Sequence, residues 1–157
     1  MTGAKIHIFD WDADQHTHLV SLYQHGDGYP GGLGEQLKQY IKNSIVVNGY
    51  TPELLESWED KHIHNGVGCF ACNLISHLKV RIGHLYIATN NGTPAPYRVE
   101  PSYHSINRTY NEYFVYDITV SEFIGDNCSM TLDTYDIQMD KFEKDVARSD
   151  TSMFEVK

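Results

Sequence analysis

The run Lys5-Ile6-His7-Ile8-Phe9, read together with Thr17-His18-Leu19-Val20-Ser21-Leu22-Tyr23-Gln24, decides the fold. The first run alternates apolar and polar residues, the period of a half-buried strand. The second is rich in strand formers. Asp10-Trp11-Asp12-Ala13-Asp14-Gln15 lies between them and is polar enough to turn, so the two runs predict an N-terminal β-hairpin. Working outward, Leu33, Leu37, Tyr40, Ile41 and Ile45 recur at helical spacing and predict a helix ending near Asn48-Gly49. Thr51-Pro52-Glu53 opens a second, short helix, with Thr as cap and Pro at the first helical position. His62 to Gly66 reads as a break. Phe70, Ala71, Leu74, Ile75 and Leu78 then mark a third helix from about Val67 to Val80. Leu85 to Ala88, Tyr113 to Val120 and Ser129 to Tyr135 read as strands, and Phe142 with Val146 as a last short helix. The order predicts an α+β fold, a mainly antiparallel sheet with an N-terminal hairpin and helices packed on one face. One domain is expected over residues 1–148, with residues 149–157 a frayed tail.

Composition narrows the function classes. The chain has 157 residues, 41% hydrophobic and 21% charged, which suits one ordinary globular domain. A net charge of −9 argues against direct binding to nucleic acid or an anionic membrane, while leaving room for a small phosphate-bearing ligand. No apolar run is long enough to span a membrane and Met1-Thr2-Gly3-Ala4-Lys5 does not read as a signal peptide, so a cytoplasmic location is expected. Cys69, Cys72 and Cys128 fit a reducing compartment, where the three Asn-x-Ser/Thr triplets at Asn91, Asn107 and Asn127 carry no meaning. Cys69-x-x-Cys72 is a single CxxC without a second ligand pair for zinc. The plainer reading makes both cysteines small apolar residues that let a helix pack closely on the sheet, with a redox role left open.

Five glycines fall between Gly26 and Gly34, in a segment that must turn a strand into a helix. Such density implies positive φ angles or a close approach of backbone. A helix start offers unpaired N–H groups, a natural anion site, and Tyr23, His25, Asp27, Gly28 and Tyr29 surround it. The structural alternative is that Asp27 and the glycines fix the bend and Tyr29 packs. No Gly-Lys-Ser/Thr follows, so the loop is no P-loop. A second concentration of ligand-type residues is the long polar segment Asn90 to Asn111, where Arg98 and Arg108 sit among tyrosines that include Tyr113 just beyond it. Arg with Tyr suits planar or phosphate-bearing ligands, and equally a protein surface.

Three blocks carry a resemblance. Leu22-Tyr23-Gln24-His25-Gly26-Asp27-Gly28-Tyr29-Pro30-Gly31-Gly32-Leu33-Gly34 resembles the signature YRxxDGYPxGxG of a family of small uncharacterised proteins from tailed phages, bacteria and large DNA viruses. Asn65-Gly66-Val67-Gly68-Cys69-Phe70-Ala71-Cys72-Asn73-Leu74-Ile75-Ser76-His77-Leu78 is similar to that family's NGMGCLAAQLIAHLK, and Asn111 to Tyr116 to its xEEYVYxV. Gln24 stands where the family commonly has Arg, and Gly31 where it often has Glu or Ser. The resemblance implies a viral or mobile-element setting, with the host cytoplasm as location, and no established activity.

The catalytic and metal searches return little. Asp10-x-Asp12-x-Asp14 opens like a calcium loop but has Gln15 where Gly is needed and Ser21 where Glu is needed. His16 and His18 share a strand face, as would His62 and His64, but nothing in the sequence brings the pairs together. His77 lies on the same helix as Cys69 and Cys72, a poor arrangement for a nucleophile and its base. No cofactor and no metal are expected. The leading expectation is a non-enzymatic accessory protein that sequesters a nucleotide-like signalling molecule or binds a host protein; self-association is compatible with the same features. The alternatives are an acidic inhibitor that mimics nucleic acid, motivated by Asp10, Asp12, Asp14, Asp133, Asp136 and Asp140, and a small hydrolase using His25 and Asp27.

Overall fold

The computed structural model describes residues 2–12, 15–57, 61–88, 102–103, 109–110, 112–121, 127–136 and 141–150. The expected hairpin is present as β1 (Gly3–Asp12) and β2 (Gln15–Gln24). Its antiparallel register runs from Ala4 opposite Gln24 to Asp12 opposite Gln15, and it shifts between Ile8 and Phe9. The strands that follow later in the chain are β5 (Leu85–Ala88), β8 (Glu112–Val120), β9 (Asn127–Asp136) and β10 (Lys141–Asp150). With the hairpin they form one six-stranded sheet in the order β10-β9-β8-β1-β2-β5. The β1–β8 pair is parallel and every other pair in the sheet is antiparallel. Two small pairs complete the described strands: β3 (Ser44–Val47) with β4 (His62–Asn65), parallel, and β6 (Ser102–Tyr103) with β7 (Thr109–Tyr110), antiparallel.

Alternation along the strands sends Ala4, Ile6, Ile8, Leu22, Tyr116, Ile118, Val120, Met130 and Leu132 to one face of the sheet. There they join Leu37, Tyr40 and Ile41 of α1 (Glu35–Lys42) and Phe70, Ala71, Leu74 and Leu78 of α3 (Gly66–Leu78) in a single core. The fold is therefore α+β with the long helices on one face. A short helix, α2 (Pro52–Ser57), begins at the expected Pro52.

Three local expectations are corrected. The first helix stops at Lys42, not near Gly49, because Ser44-Ile45-Val46-Val47 leaves the helix and pairs with His62 to Asn65, the stretch expected to be a break. Parallel pairing gives both segments backbone partners along their facing edges, and the β-branched run favours it. The expected C-terminal helix at Phe142 and Val146 is strand β10, paired residue for residue with β9. A spacing of four fits a period of two as well as a period of 3.6, and the ladder decides between them. The expected fraying from Ser149 does not begin there, since Ser149 pairs with Cys128 and Asp150 with Asn127. Residues 151–157 lie outside the described residues.

Candidate functional site

The glycine-rich loop is held by its own backbone. Positive φ falls at Gly26 (φ 107) and at Asp27 (φ 53). The Gly28 N–H donates to the Thr2 carbonyl at 2.8 Å, and the Tyr116 hydroxyl donates to the Gly28 carbonyl at 2.7 Å. Gly28 is glycine for lack of room: a Cβ there would stand 2.6 Å from the Ala4 Cβ and 2.9 Å from the Thr2 carbonyl oxygen. The chain then makes one π-helical turn, Pro30–Gly34, before α1. Three of the N–H groups that the sequence offers to an anion are spent inside this turn. Leu33 donates to the Asp27 carbonyl at 2.9 Å, and Gly32 and Gly34 both donate to the Tyr29 carbonyl.

Of the residues expected to bind, Tyr23, His25, Asp27, Gly28 and Tyr29 do share this region. Tyr23 is 2% exposed and packs with Tyr86 and Ala88, so it has no ring face to offer a ligand. The Tyr23 hydroxyl lies 3.2 Å from His25 Nδ1, and the His25 N–H donates to the His84 carbonyl. Gln24, at the position of the resembled family's Arg, is buried and donates to the Gly26 carbonyl. His25, Asp27 and Tyr29 are exposed. Arg98 and Arg108 lie outside the described residues, and of Tyr113 only the backbone, in β8, is described.

A different place gathers exposed side chains around a buried tyrosine. A concavity of about 380 Å³ is lined by Tyr40, His62, Ile63, Asn73, Ser76 and His77, where α1, β4 and α3 meet. That volume is within the range of small-molecule pockets. The Tyr40 ring stacks on His62 with centroids 4.3 Å apart and planes 21° from parallel. His77 lies 4.5 Å from the same tyrosine ring, and both histidines are exposed. Burial, then the charge of His77, lowers the His62 pKa. Burial, then the nearby Cys69, pushes the Tyr40 phenol up to about 12, so this ring stays neutral.

Behind the concavity runs a buried relay. Ser44 Oγ donates to the Tyr40 carbonyl at 2.7 Å and lies 3.0 Å from His64 Nε2. His64 Nδ1 lies 2.9 Å from Asn73 Nδ2, which also donates to Cys69 Sγ at 3.6 Å. His64 is fully buried, and burial followed by the charge of His62 lowers its pKa to about 4. Cys69 is half-buried, whereas Cys72 is exposed, so Cys72 does not pack the helix onto the sheet as expected.

The other face of the sheet holds a second polar cluster. Ser21 Oγ is 2.7 Å from both His7 Nδ1 and His18 Nε2. In register across neighbouring strands stand His7 on β1, Asp117 on β8 and Asp133 on β9. His7 is wholly buried and Asp117 4% exposed, yet His7 Nε2 and Asp117 Oδ1 have no hydrogen-bond partner among the described residues. Burial, then the charges of Lys5 and His18, lowers the His7 pKa to about 3. Burial, then the charge of Asp133, raises the Asp117 pKa to about 8. Among the described residues no three His, Cys, Asp or Glu side chains are grouped to hold a metal ion, and no helix is long and apolar enough to cross a membrane.

No protein-family model, no curated protein and no solved structure matches this chain.

Sequence reasoning noticed the His62/His64 pair and set His77 aside, but it did not join them to Tyr40. The available signal was Tyr40 on the inward face of its helix combined with a His-x-His run. The link needs the β3–β4 pairing, which places Val46 beside His64.

Proposed function

We propose that this chain is a binding protein without catalytic turnover that takes a small nucleotide-like molecule by its planar ring in the Tyr40–His62–His77 concavity. The observation that carries the reading is the pair of exposed rings, His62 and His77, set 4.3 and 4.5 Å from the buried Tyr40 ring and rimmed by Asn73 and Ser76. Ring stacking accepts any heteroaromatic base and is worth roughly 1–3 kcal/mol per base. Burial lowers the His62 pKa, which favours the neutral ring, and a neutral ring suits contact with the base. In the phage or mobile-element setting that the three resembled blocks suggest, such a protein acts in the host cytoplasm and holds a signalling nucleotide away from its receptor. An acidic nucleic-acid mimic is less well supported: Asp10, Asp133 and Asp136, three of the carboxylates that motivate it, are half-buried. Calorimetry with adenosine and with nucleotide second messengers tests the proposal. Saturable binding, with intact ligand recovered after denaturation, supports it. Recovery of a cleaved product makes the chain an enzyme instead.

A further inference from the structure

The relay behind the concavity fixes which way the Asn73 amide points. A serine hydroxyl has one proton, and that of Ser44 goes to the Tyr40 carbonyl. Toward His64 the Ser44 oxygen can therefore only accept, so the 3.0 Å contact requires the proton on His64 Nε2. A neutral imidazole carries one N–H, which leaves Nδ1 as an acceptor. Asn73 must then turn its NH2 group to His64 Nδ1, and the second hydrogen of that group goes to Cys69 Sγ. Both amide hydrogens are spent. Amide orientation is set by such partners, and here every step of the chain has one direction. Asn73 is exposed and lines the concavity, so its carbonyl oxygen is the group left for a ligand.

We propose that Asn73 is the specificity-determining residue of the concavity, accepting a hydrogen bond from an N–H or amino group on the edge of a stacked heteroaromatic ring, and that Ser44 and His64 are the positioning residues that hold it as an acceptor. The inference rests on the ring-binding reading above. It names the ligand class more narrowly: an amino-bearing base such as adenine, in preference to a ring of the same shape without that group. The opposite amide orientation would select a carbonyl-bearing edge.

Adenosine and purine riboside, which lacks only the amino group, are the probes. The site is open, so water competes for the Asn73 oxygen and the gain is that of one exchanged hydrogen bond. The protein is expected to bind adenosine about three- to tenfold tighter than purine riboside. In Ser44→Ala, His64 is free to carry its proton on either nitrogen and the Asn73 amide is free to turn, so the adenosine preference falls to about one or inverts. A role in packing alone would weaken both probes together and leave their ratio unchanged. Equal binding of the two probes by the unaltered protein overturns this inference and leaves ring binding standing; no binding of either overturns both. Retention of the full preference by Ser44→Ala overturns the relay. Nitrogen-15 NMR of the unaltered protein reads the relay independently of how the variant folds. An Nε2–H tautomer at His64 supports it, and an Nδ1–H tautomer contradicts it.

Discussion

Two serine–histidine networks are built into this fold, and they end differently. On the helix-covered side, Ser44 and His64 pass a directed set of hydrogen bonds from the Tyr40 carbonyl to Asn73, whose amide opens onto solvent. On the opposite face of the sheet, Ser21 joins His7 and His18, but among the described residues His7 Nε2 and the neighbouring Asp117 Oδ1 are buried without a partner. The first network delivers a defined polar group to a concavity. The second keeps the Asp117 carboxyl protonated at pH 7, where it would ionise in water, which costs stability. Polar side chains on a β-face are thus no guide to a binding site by themselves. What matters is whether the chain of donors is closed and whether its end is accessible.

The largest expected effect follows from the second network. Asp117, raised from 3.8 to about 8, holds a proton in the folded chain that the unfolded chain has lost between those values, so its contribution falls as pH rises through that window. His7 and His64, lowered from 6.5 to about 3 and about 4, are neutral when folded and protonated when unfolded, so their contribution is lost as pH falls below 6.5. Below 6.5 the two histidines outweigh the one carboxyl; above it only the carboxyl acts. Stability should therefore peak near pH 6.5 and decline on the alkaline side toward pH 8. Asp117→Asn removes the alkaline decline. At pH 8.5 it should be more stable than the unaltered chain by on the order of a few kcal/mol, or roughly 5–10 °C in Tm. Urea unfolding at pH 5, 6.5 and 8.5 reads both limbs. A persistent alkaline limb in the variant would assign the decline to another group.

Next in size is Gly28→Ala. The added Cβ meets the Ala4 side chain and the backbone of Thr2 and Ala4 at 2.6 to 3.0 Å, and none of these can yield cheaply. Overpacking of this kind costs about 2 kcal/mol, or roughly 4–8 °C in Tm. A scanning-calorimetry trace unchanged by the substitution would mean the β1–loop contact is looser than described. His62→Ala tests the other side of the comparison. It removes an exposed ring and should weaken adenosine binding about tenfold, with circular dichroism and Tm nearly unchanged. The smallest effect is expected at Asp27→Asn. The exposed Asp27 holds φ 53, which Asn adopts at least as readily, and its carbonyl, not its carboxylate, receives the Leu33 N–H. Tm should move by no more than about 1 °C, within the ±0.5 kcal/mol of ordinary surface changes, and binding should be unaffected. A large loss of binding would return the ligand site to the glycine-rich loop.

The hairpin, α3 and the strands on either side of β1 are legible in the sequence because each keeps one pattern over several residues, as Ala4, Ile6 and Ile8 do in β1, and α2 is legible from the Thr51-Pro52-Glu53 start signal. Legibility fails where two periods coincide. Ile45 continues the four-residue spacing of Leu37 and Ile41 into what is strand β3, and Phe142 with Val146 does the same in β10. The glycine-rich loop stands out by composition, but its glycines record close packing against Thr2, Ala4 and Tyr116, contacts made from distant parts of the chain. The concavity is hidden for a similar reason. Ser44, His64 and Asn73 are ordinary residues singly, and their relation depends on a parallel pairing between two four-residue strands that local pattern does not announce.

The most direct measurement is a nitrogen-15 NMR titration of the protein with adenosine, following side-chain amides and histidine rings together with the backbone. The largest changes should fall on the Asn73 side-chain amide and on the rings of His62 and His77, with Ser21, His18 and the Gly26 to Tyr29 loop left in place. Changes centred on that loop or on the Ser21 network, or none at millimolar adenosine, would contradict the assignment of the site.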